Sequence, residues 1–214
     1  MTRSQRWVVL DVGETIIDES RIWTAWADEL GIPHLTFMSV FGAVVERGLQ
    51  YEHVMDFFDV GDWRAHRTAV EDTLGGLREV DLYADAVPAL VAFREHGYRT
   101  AVMGNQPALR TNQLQDIGIQ AEVMAMSEEM GVSKPDPAFF TAALARLSDP
   151  DPRAVAYVGD RIDNDVRPAA AAGMRAVWLR RGPWGVVPRT TPPEADLVVG
   201  SLADLAERIL EVWS

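Results

Sequence analysis

Cysteine is absent from this chain of 214 residues, so neither disulfides nor thiolate chemistry is available to it. Lysine is almost absent: of twenty Lys plus Arg, only Lys134 is lysine, which leaves nineteen arginines. Against that bias the single lysine stands out, because a compact ammonium is not replaceable by a planar guanidinium everywhere. Long apolar runs are missing too, and none approaches the ~20 residues needed to span a bilayer. Met1 to Arg6 leads straight into a strand with no signal-peptide pattern, so the expected location is cytoplasmic, with no membrane partner. Positive charge is scarce: 20 basic residues face 32 acidic ones, for a net charge of −12. That balance repels nucleic acid and anionic membrane over most of the surface. Any phosphate-bearing substrate must therefore be drawn in by local cations or a metal.

At 48% hydrophobic, the chain can bury a proper core and suits one domain with an insertion, or two small ones. Trp7 to Leu10 is a short β-branched apolar run, the mark of a buried strand, and it stops at Asp11 with a turn-prone Gly13 behind it. From about Ser20 to Leu77 there is no convincing strand. Trp23, Trp26, Ala27 and Leu30 repeat at helical spacing, as do Phe37, Val40, Phe41, Val44 and Val45; shorter helices are expected around Val54–Phe58 and over Trp63 to Leu77. The aromatics of this stretch and His34, His53 and His66 are most simply core and surface residues. From Asp85 the texture changes to alternation. Asp85 can cap a helix carrying Pro88 in its first turn, and strands are expected at 99–103, 121–126, 154–158, 175–179 and 197–199. Helices are expected at 107–116, 137–147, 165–172 and from Leu202, with Arg180 to Pro193 a Pro/Gly-rich loop. Such alternation means an α/β fold with a doubly wound parallel sheet. No internal repeat appears.

In such a sheet, ligands bind at the carboxyl ends of strands. Four loops can meet there: Asp11, Gly104-Asn105, the loop Ser133-Lys134-Pro135-Asp136-Pro137, and Gly159-Asp160 running on to Asp165. Asp11 is then a candidate nucleophile or metal ligand. Carboxylates clustered opposite it repel one another unless a hard cation sits between them, and a few oxygen ligands suit Mg²⁺. For Asp163 a solvated turn role is an equal reading.

The segments DVGETIID, VMGN, SKPDP and VGDRIDND resemble, in order, the four motifs of the haloacid dehalogenase-like hydrolase superfamily. The resemblance covers essentially the whole chain and implies a Rossmannoid core over 1–17 and 80–214, with a small α-helical cap over 18–79. It implies a small phosphorylated substrate and Asp11 as a nucleophile that forms an aspartyl-phosphate. It also implies Mg²⁺ held by Asp11, the Gly13 carbonyl and Asp160, with support from Asp165. Lys134 would neutralise Asp11 and the phosphoryl charge, and Gly104, Asn105 and Lys134 would face the phosphate.

Two positions depart from the pattern. The family's phosphatases carry a second Asp two residues after the nucleophile as general acid and base; here that position is Gly13. The second motif usually presents Ser or Thr; here it is Gly104, beside Asn105. Acid–base assistance is typically worth ~10²–10⁴-fold, most of all for poor leaving groups. The missing acid therefore predicts that Gly13→Asp raises turnover of ordinary monoesters; Glu14 next door is expected to point elsewhere. Alternatives are an inactive binding or regulatory protein on the same fold, or a metal-independent 2-haloacid dehalogenase, whose relatives also lack the second Asp. Phosphonate-cleaving relatives need a cap lysine, and this cap has none.

Overall fold

The strand side chains alternate in direction, and both faces of the sheet are covered, which is why the strands read as near-continuous apolar runs. The computed structural model describes residues 5–213. The reading of Met1 to Ser4, and the first and last residues of the expected core, lie outside the described residues. Six strands, β1 (Trp7–Leu10), β2 (Arg99–Gly104), β3 (Val123–Met126), β4 (Val155–Gly159), β5 (Arg175–Leu179) and β6 (Leu197–Val199), form one sheet in the order β3-β2-β1-β4-β5-β6. Every pairing is parallel; Leu10 lies opposite Val102 on one side and Val158 on the other.

On one face, Val8, Leu10, Val102, Val158, Val177 and Leu179 pack under α4 (Ala86–Glu95) and α10 (Leu202–Arg208). On the other, Trp7, Val9, Met103, Tyr157 and Trp178 pack against Phe139, Phe140 and Ala143 of α7 (Pro137–Arg146) and Ala169 of α8 (Arg167–Ala171). Asp136 starts α7 by accepting from the Ala138 N–H. Among the described residues, no helix is long and apolar enough to cross a membrane.

Between β1 and β2 run α1 (Ser20–Glu29), α2 (His34–Glu46), 3₁₀ turns at Tyr51–Phe57 and Trp63–His66, and α3 (Arg67–Leu74). These have a core of their own, built on Trp26, Phe37, Phe41, Val44, Trp63 and Leu74. The chain leaves and re-enters the sheet layer side by side. Asp18 N–H donates to Asp81 O (2.8 Å) and Tyr83 N–H to Ile16 O (3.1 Å). Arg21 fastens this crossing, binding both Asp81 carboxylate oxygens (2.7 and 2.5 Å) and the carbonyls of Leu74 and Gly76. Burial alone would raise the Asp81 carboxyl, but the Arg21 bonds outweigh it and hold it below its usual range.

Several boundaries differ from the expectations. The helix expected from Pro107 begins at Arg110 (α5, Arg110–Asp116), because Ala108 and Leu109 form a turn closed by the Arg110 N–H on Pro107 O (3.0 Å), with the Ala108 N–H taken by Glu128. A short α6 (Ser127–Met130) supplies Glu128 and has no apolar periodicity to announce it. The Arg180–Pro193 loop contains α9 (Gly182–Val186), with Pro183 in its first turn. Trp184 of α9 packs edge-on against Phe41, at 4.9 Å between ring centroids. Asp85 does not cap α4 with its side chain. It pairs with Arg181 (2.5 Å) and accepts from the Leu202 N–H (2.8 Å), so it caps α10, the neighbouring helix on the same face. The histidines are surface residues: His34, His53 and His66 each face an acid, Asp28, Asp56 and Glu29 respectively.

Candidate functional site

The chain builds outward from β1 to β2 and β3, then crosses back to β4, so the topology switches between β1 and β4. Open α/β sheets bind ligands in the crevice at such a point. Asp11 follows β1 and Asp160 follows β4, and both are buried there. The Asp11 N–H donates to Val158 O (2.9 Å), which joins the two strand ends directly. After Asp11 the chain turns back on itself, with the Val12 carbonyl accepting from Thr15, Ile16 and Ile17. Glu14 sits in this turn at φ +50°, a left-handed conformation uncommon for a side-chain-bearing residue.

Lys134 lies between the strand ends with 1% of its side chain exposed. Its Nζ is 2.7 Å from Asp11 Oδ1 and 2.5 Å from Asp165 Oδ1. Phe139 and Tyr157 form an aromatic floor beneath it, their ring centroids 5.8 and 5.3 Å from Nζ. Burial would lower the lysine pKa, but the charges of Asp11 and Asp165 outweigh burial and hold it well above its usual range, so the group is an ammonium. Asn105 fixes the lysine's backbone at two points: its Nδ2 donates to Lys134 O, and its Oδ1 accepts from Lys134 N–H, both at 2.8 Å. The Asn105 side chain is thus engaged in placing Lys134, although the residue lines the crevice.

Asp160 and Asp165 come from the loop after β4, which coils into a π-helical turn at Ile162–Val166. Such turns are frequent at functional sites. Asp165 Oδ2 accepts from the Arg161 N–H (3.0 Å), and Trp178 Nε1 supports the loop by donating to Asp160 O (2.9 Å). Asp160 Oδ2 is buried and has no hydrogen-bond partner among the described residues. One carboxylate oxygen each from Asp11, Asp160 and Asp165 lies within 4.8 Å of the others. Burial, then the charges of Asp165 and Asp11, push the Asp160 carboxyl well above its ordinary range. Burial raises Asp11 to about 6, with Lys134 pulling against it. A buried carboxylate oxygen with no donor, beside two more carboxylates, is an arrangement that a hard divalent cation satisfies. Asp163 turns away. It pairs with Arg161 (2.8 Å) and accepts from Gln50 (3.0 Å), linking the loop to the helical segment.

The crevice is a cavity of ≈ 530 Å³ between this strand-end cluster and the helices that follow β1. Trp23, Trp26 and Trp63 line it, whereas Phe57 is 49% exposed on the surface. Gly104 does not line it: a Cβ there would sit 2.5 Å from Asp11 Oδ1 and 3.3 Å from the Val12 nitrogen. The space of a second-motif hydroxyl residue is therefore filled by the Asp11 carboxylate itself.

Two acids went unread or under-read in the sequence. Glu14 does reach the cavity wall; its Oε2 accepts from Tyr83 Oη (2.5 Å) and its Oε1 from the Glu19 N–H (3.0 Å). Glu19, at the N-terminus of α1, lines the same cavity, and burial followed by the charges of Glu14 and Asp11 raises it to about 7. A Cβ on Gly13 would fall 2.3 Å from Glu19 Oε1. A side chain at position 13 would therefore have to displace the far end of the Glu19 side chain. Neither acid had a spacing signal. Only the left-handed turn at Glu14 and the packing of α1 onto it bring them in.

A parallel sheet that gathers three carboxylates and one buried ammonium at its switch point defines an α/β protein with an acidic centre, not a histidine or thiol one. The chain belongs to the haloacid dehalogenase-like hydrolases: that family's profile matches residues 5–173. It is 34% identical over 134 residues to a glyceraldehyde 3-phosphate phosphatase of Methanopyrus kandleri, covering 61% of this chain and 57% of that protein. It is 36% identical over 131 residues to a phosphoserine phosphatase of Thermus thermophilus, covering 60% and 51%. The chain thus spans about half the length of the curated relatives it matches. A haloacid dehalogenase-like hydrolase structure from Bacteroides fragilis superposes with a TM-score of 0.69 at 21% identity, covering 94% of this chain and 99% of that one.

Proposed function

We propose that the protein is a Mg²⁺-dependent hydrolase of small phosphorylated metabolites that works through an aspartyl-phosphate on Asp11. The observation that carries this reading is the strand-end cluster. Asp11 and Asp160 face one cavity, Asp165 stands behind them, and Lys134 is salt-bridged to Asp11 and Asp165 while Asp160 Oδ2 has no donor. Seven carboxylate residues line that cavity against four cationic ones, so an anionic substrate needs a further positive charge to enter. Mg²⁺ held by Asp11, Asp160 and the Gly13 carbonyl, with Asp165 behind, would supply that charge and the electrostatic stabilisation on which phosphoryl transfer depends.

The protein's own groups divide the work. Asp11 Oδ1 is held by the Lys134 ammonium, which fixes the carboxylate and leaves Oδ2 to attack phosphorus. Asn105 and Asp165 keep Lys134 in place, so its charge stays where the phosphoryl charge develops. The helical segment 18–79 would act as the cap that excludes water and selects the substrate. Removal of halide from a 2-haloacid calls for no cation at Asp160, and the unpartnered Asp160 Oδ2 favours the phosphatase reading over it. The test is hydrolysis of p-nitrophenyl phosphate with Mg²⁺ and with chelator, in wild type and Asp11→Asn. Turnover that needs both Mg²⁺ and Asp11 supports the reading. Its absence in the folded protein leaves the family fold as a binding module.

A further inference from the structure

We propose that Glu19 replaces the side chain missing at Gly13 as the group that protonates the departing oxygen and later activates water; this rests on the phosphatase reading above. The coincidence is one of position. A Cβ built on Gly13 would lie 2.3 Å from Glu19 Oε1 and 2.8 Å from its Cδ, so the Glu19 carboxylate occupies the volume in which a residue-13 side chain begins. Glu19 reaches that place from the start of α1. It stands at the N-cap of α1, yet its side chain makes no capping bond to the helix. Its longer chain lets it bypass the free N–H groups that a short Asp or Asn side chain would satisfy there. Here it turns back over Gly13 instead. Its Oε2 is held by Trp23 Nε1 (3.2 Å), and its backbone N–H is held by Glu14 Oε1 (3.0 Å). The carboxylate and Asp11 line one cavity.

The proton accounting closes with this one residue. As Asp11 Oδ2 bonds to phosphorus, the bond from phosphorus to the alcohol oxygen breaks, and the proton of the Glu19 carboxyl passes to that oxygen. The product alcohol leaves and Glu19 is a carboxylate. It then takes a proton from water as the water oxygen attacks the aspartyl-phosphate. The phosphorus–Asp11 bond breaks, inorganic phosphate and the Asp11 carboxylate are released, and Glu19 is protonated again. Because Glu19 belongs to the helical segment and Asp11 to the strand end, the acid is in place only when that segment lies over the site.

Leaving-group dependence tests this. In Glu19→Gln with Mg²⁺, kcat for glycerol 2-phosphate, whose alkoxide must be protonated, should fall ~10²–10⁴-fold. For p-nitrophenyl phosphate, whose phenolate leaves unaided, the fall should stay under about tenfold by the same reasoning. Mg²⁺ binding measured by calorimetry should match wild type, since Glu19 is not a ligand. Glu19→Ala combined with Gly13→Asp should recover glycerol 2-phosphate turnover over Glu19→Ala alone, because removing the Glu19 carboxylate opens the space the new Asp needs. Equal losses on both esters, no loss on either, or a folded double variant no better than Glu19→Ala overturns the proposal while leaving the phosphatase reading intact. A wild type that hydrolyses neither ester overturns both.

Discussion

Replacing Lys134 by methionine removes one positive charge while keeping most of the volume of its stem. In the wild type that ammonium separates Asp11 from Asp165 at 2.7 and 2.5 Å, almost fully out of water. Without it, carboxylate oxygens within 4.8 Å of each other face one another directly. Two unit charges at that distance repel by roughly 3.5 kcal/mol at an effective dielectric of about 20. This agrees with the ~3–5 kcal/mol typical of breaking a buried ion pair from one side. For a chain of this size such a loss lowers the melting temperature by roughly 7–14 °C. The assay is thermal unfolding of wild type and Lys134→Met at pH 8, in chelator and in Mg²⁺. In chelator the variant should melt lower by that amount. In Mg²⁺ the gap should narrow, because a divalent ion between the carboxylates replaces the missing charge. A variant that melts within about 2 °C of wild type in chelator, less than 1 kcal/mol on the same scale, would refute the view that Lys134 is what keeps the metal-free cluster together.

Acidity gives a second expectation. Asp11 is raised from 3.8 to about 6 and Glu19 from 4.5 to about 7, with Asp160 also raised. A carboxyl whose folded pKa is raised favours the folded state below its unfolded value and loses that advantage as pH rises through the folded value. Metal-free protein should therefore lose stability between about pH 4 and 7, Asp11 alone accounting for about 3 kcal/mol. Thermal scans across that range in chelator check this, with Mg²⁺ flattening the curve; a melting temperature that climbs with pH in chelator contradicts it. Restoring the family's second-motif hydroxyl by Gly104→Ser should lower turnover, not raise it. The new Cβ meets Asp11 Oδ1 at 2.5 Å, and displacing a reacting group by about 1 Å can cost ~10²-fold. Steady-state kinetics on p-nitrophenyl phosphate read this directly, and a gain would show that Asp11 has room to move.

The sheet was legible because each strand is short and apolar, with β1, β2, β4 and β6 closed by Gly or Asp; β5 and β6 fall at their expected residues. The helices between β1 and β2 were legible through the spacing of Trp23, Phe37, Phe41 and Val44, whose side chains form that segment's own core. Boundaries slipped where contacts distant in sequence decide them. Asp85 caps α10 rather than α4, and α9 exists because Trp184 finds Phe41 across the site. Asp11, Lys134, Asp160 and Asp165 could be assembled from the loops that follow β1, β3 and β4, since parallel topology brings those loops to one edge. Glu14 and Glu19 could not. Their approach depends on a left-handed turn and on the seating of α1, and neither leaves a periodic trace in the sequence. Gly13 and Gly104 read as losses in the sequence, yet in the fold their missing side chains are the space held by the Glu19 and Asp11 carboxylates.

The most direct test of the proposed nucleophile is to quench the protein in acid during incubation with p-nitrophenyl phosphate and Mg²⁺ and to map the peptide that contains Asp11 by mass spectrometry. The expected result is one phosphoryl group on Asp11 that hydroxylamine removes, absent from Asp11→Asn along with activity. Turnover that persists undiminished in Asp11→Asn, or that proceeds with Asp11 never phosphorylated, would contradict it.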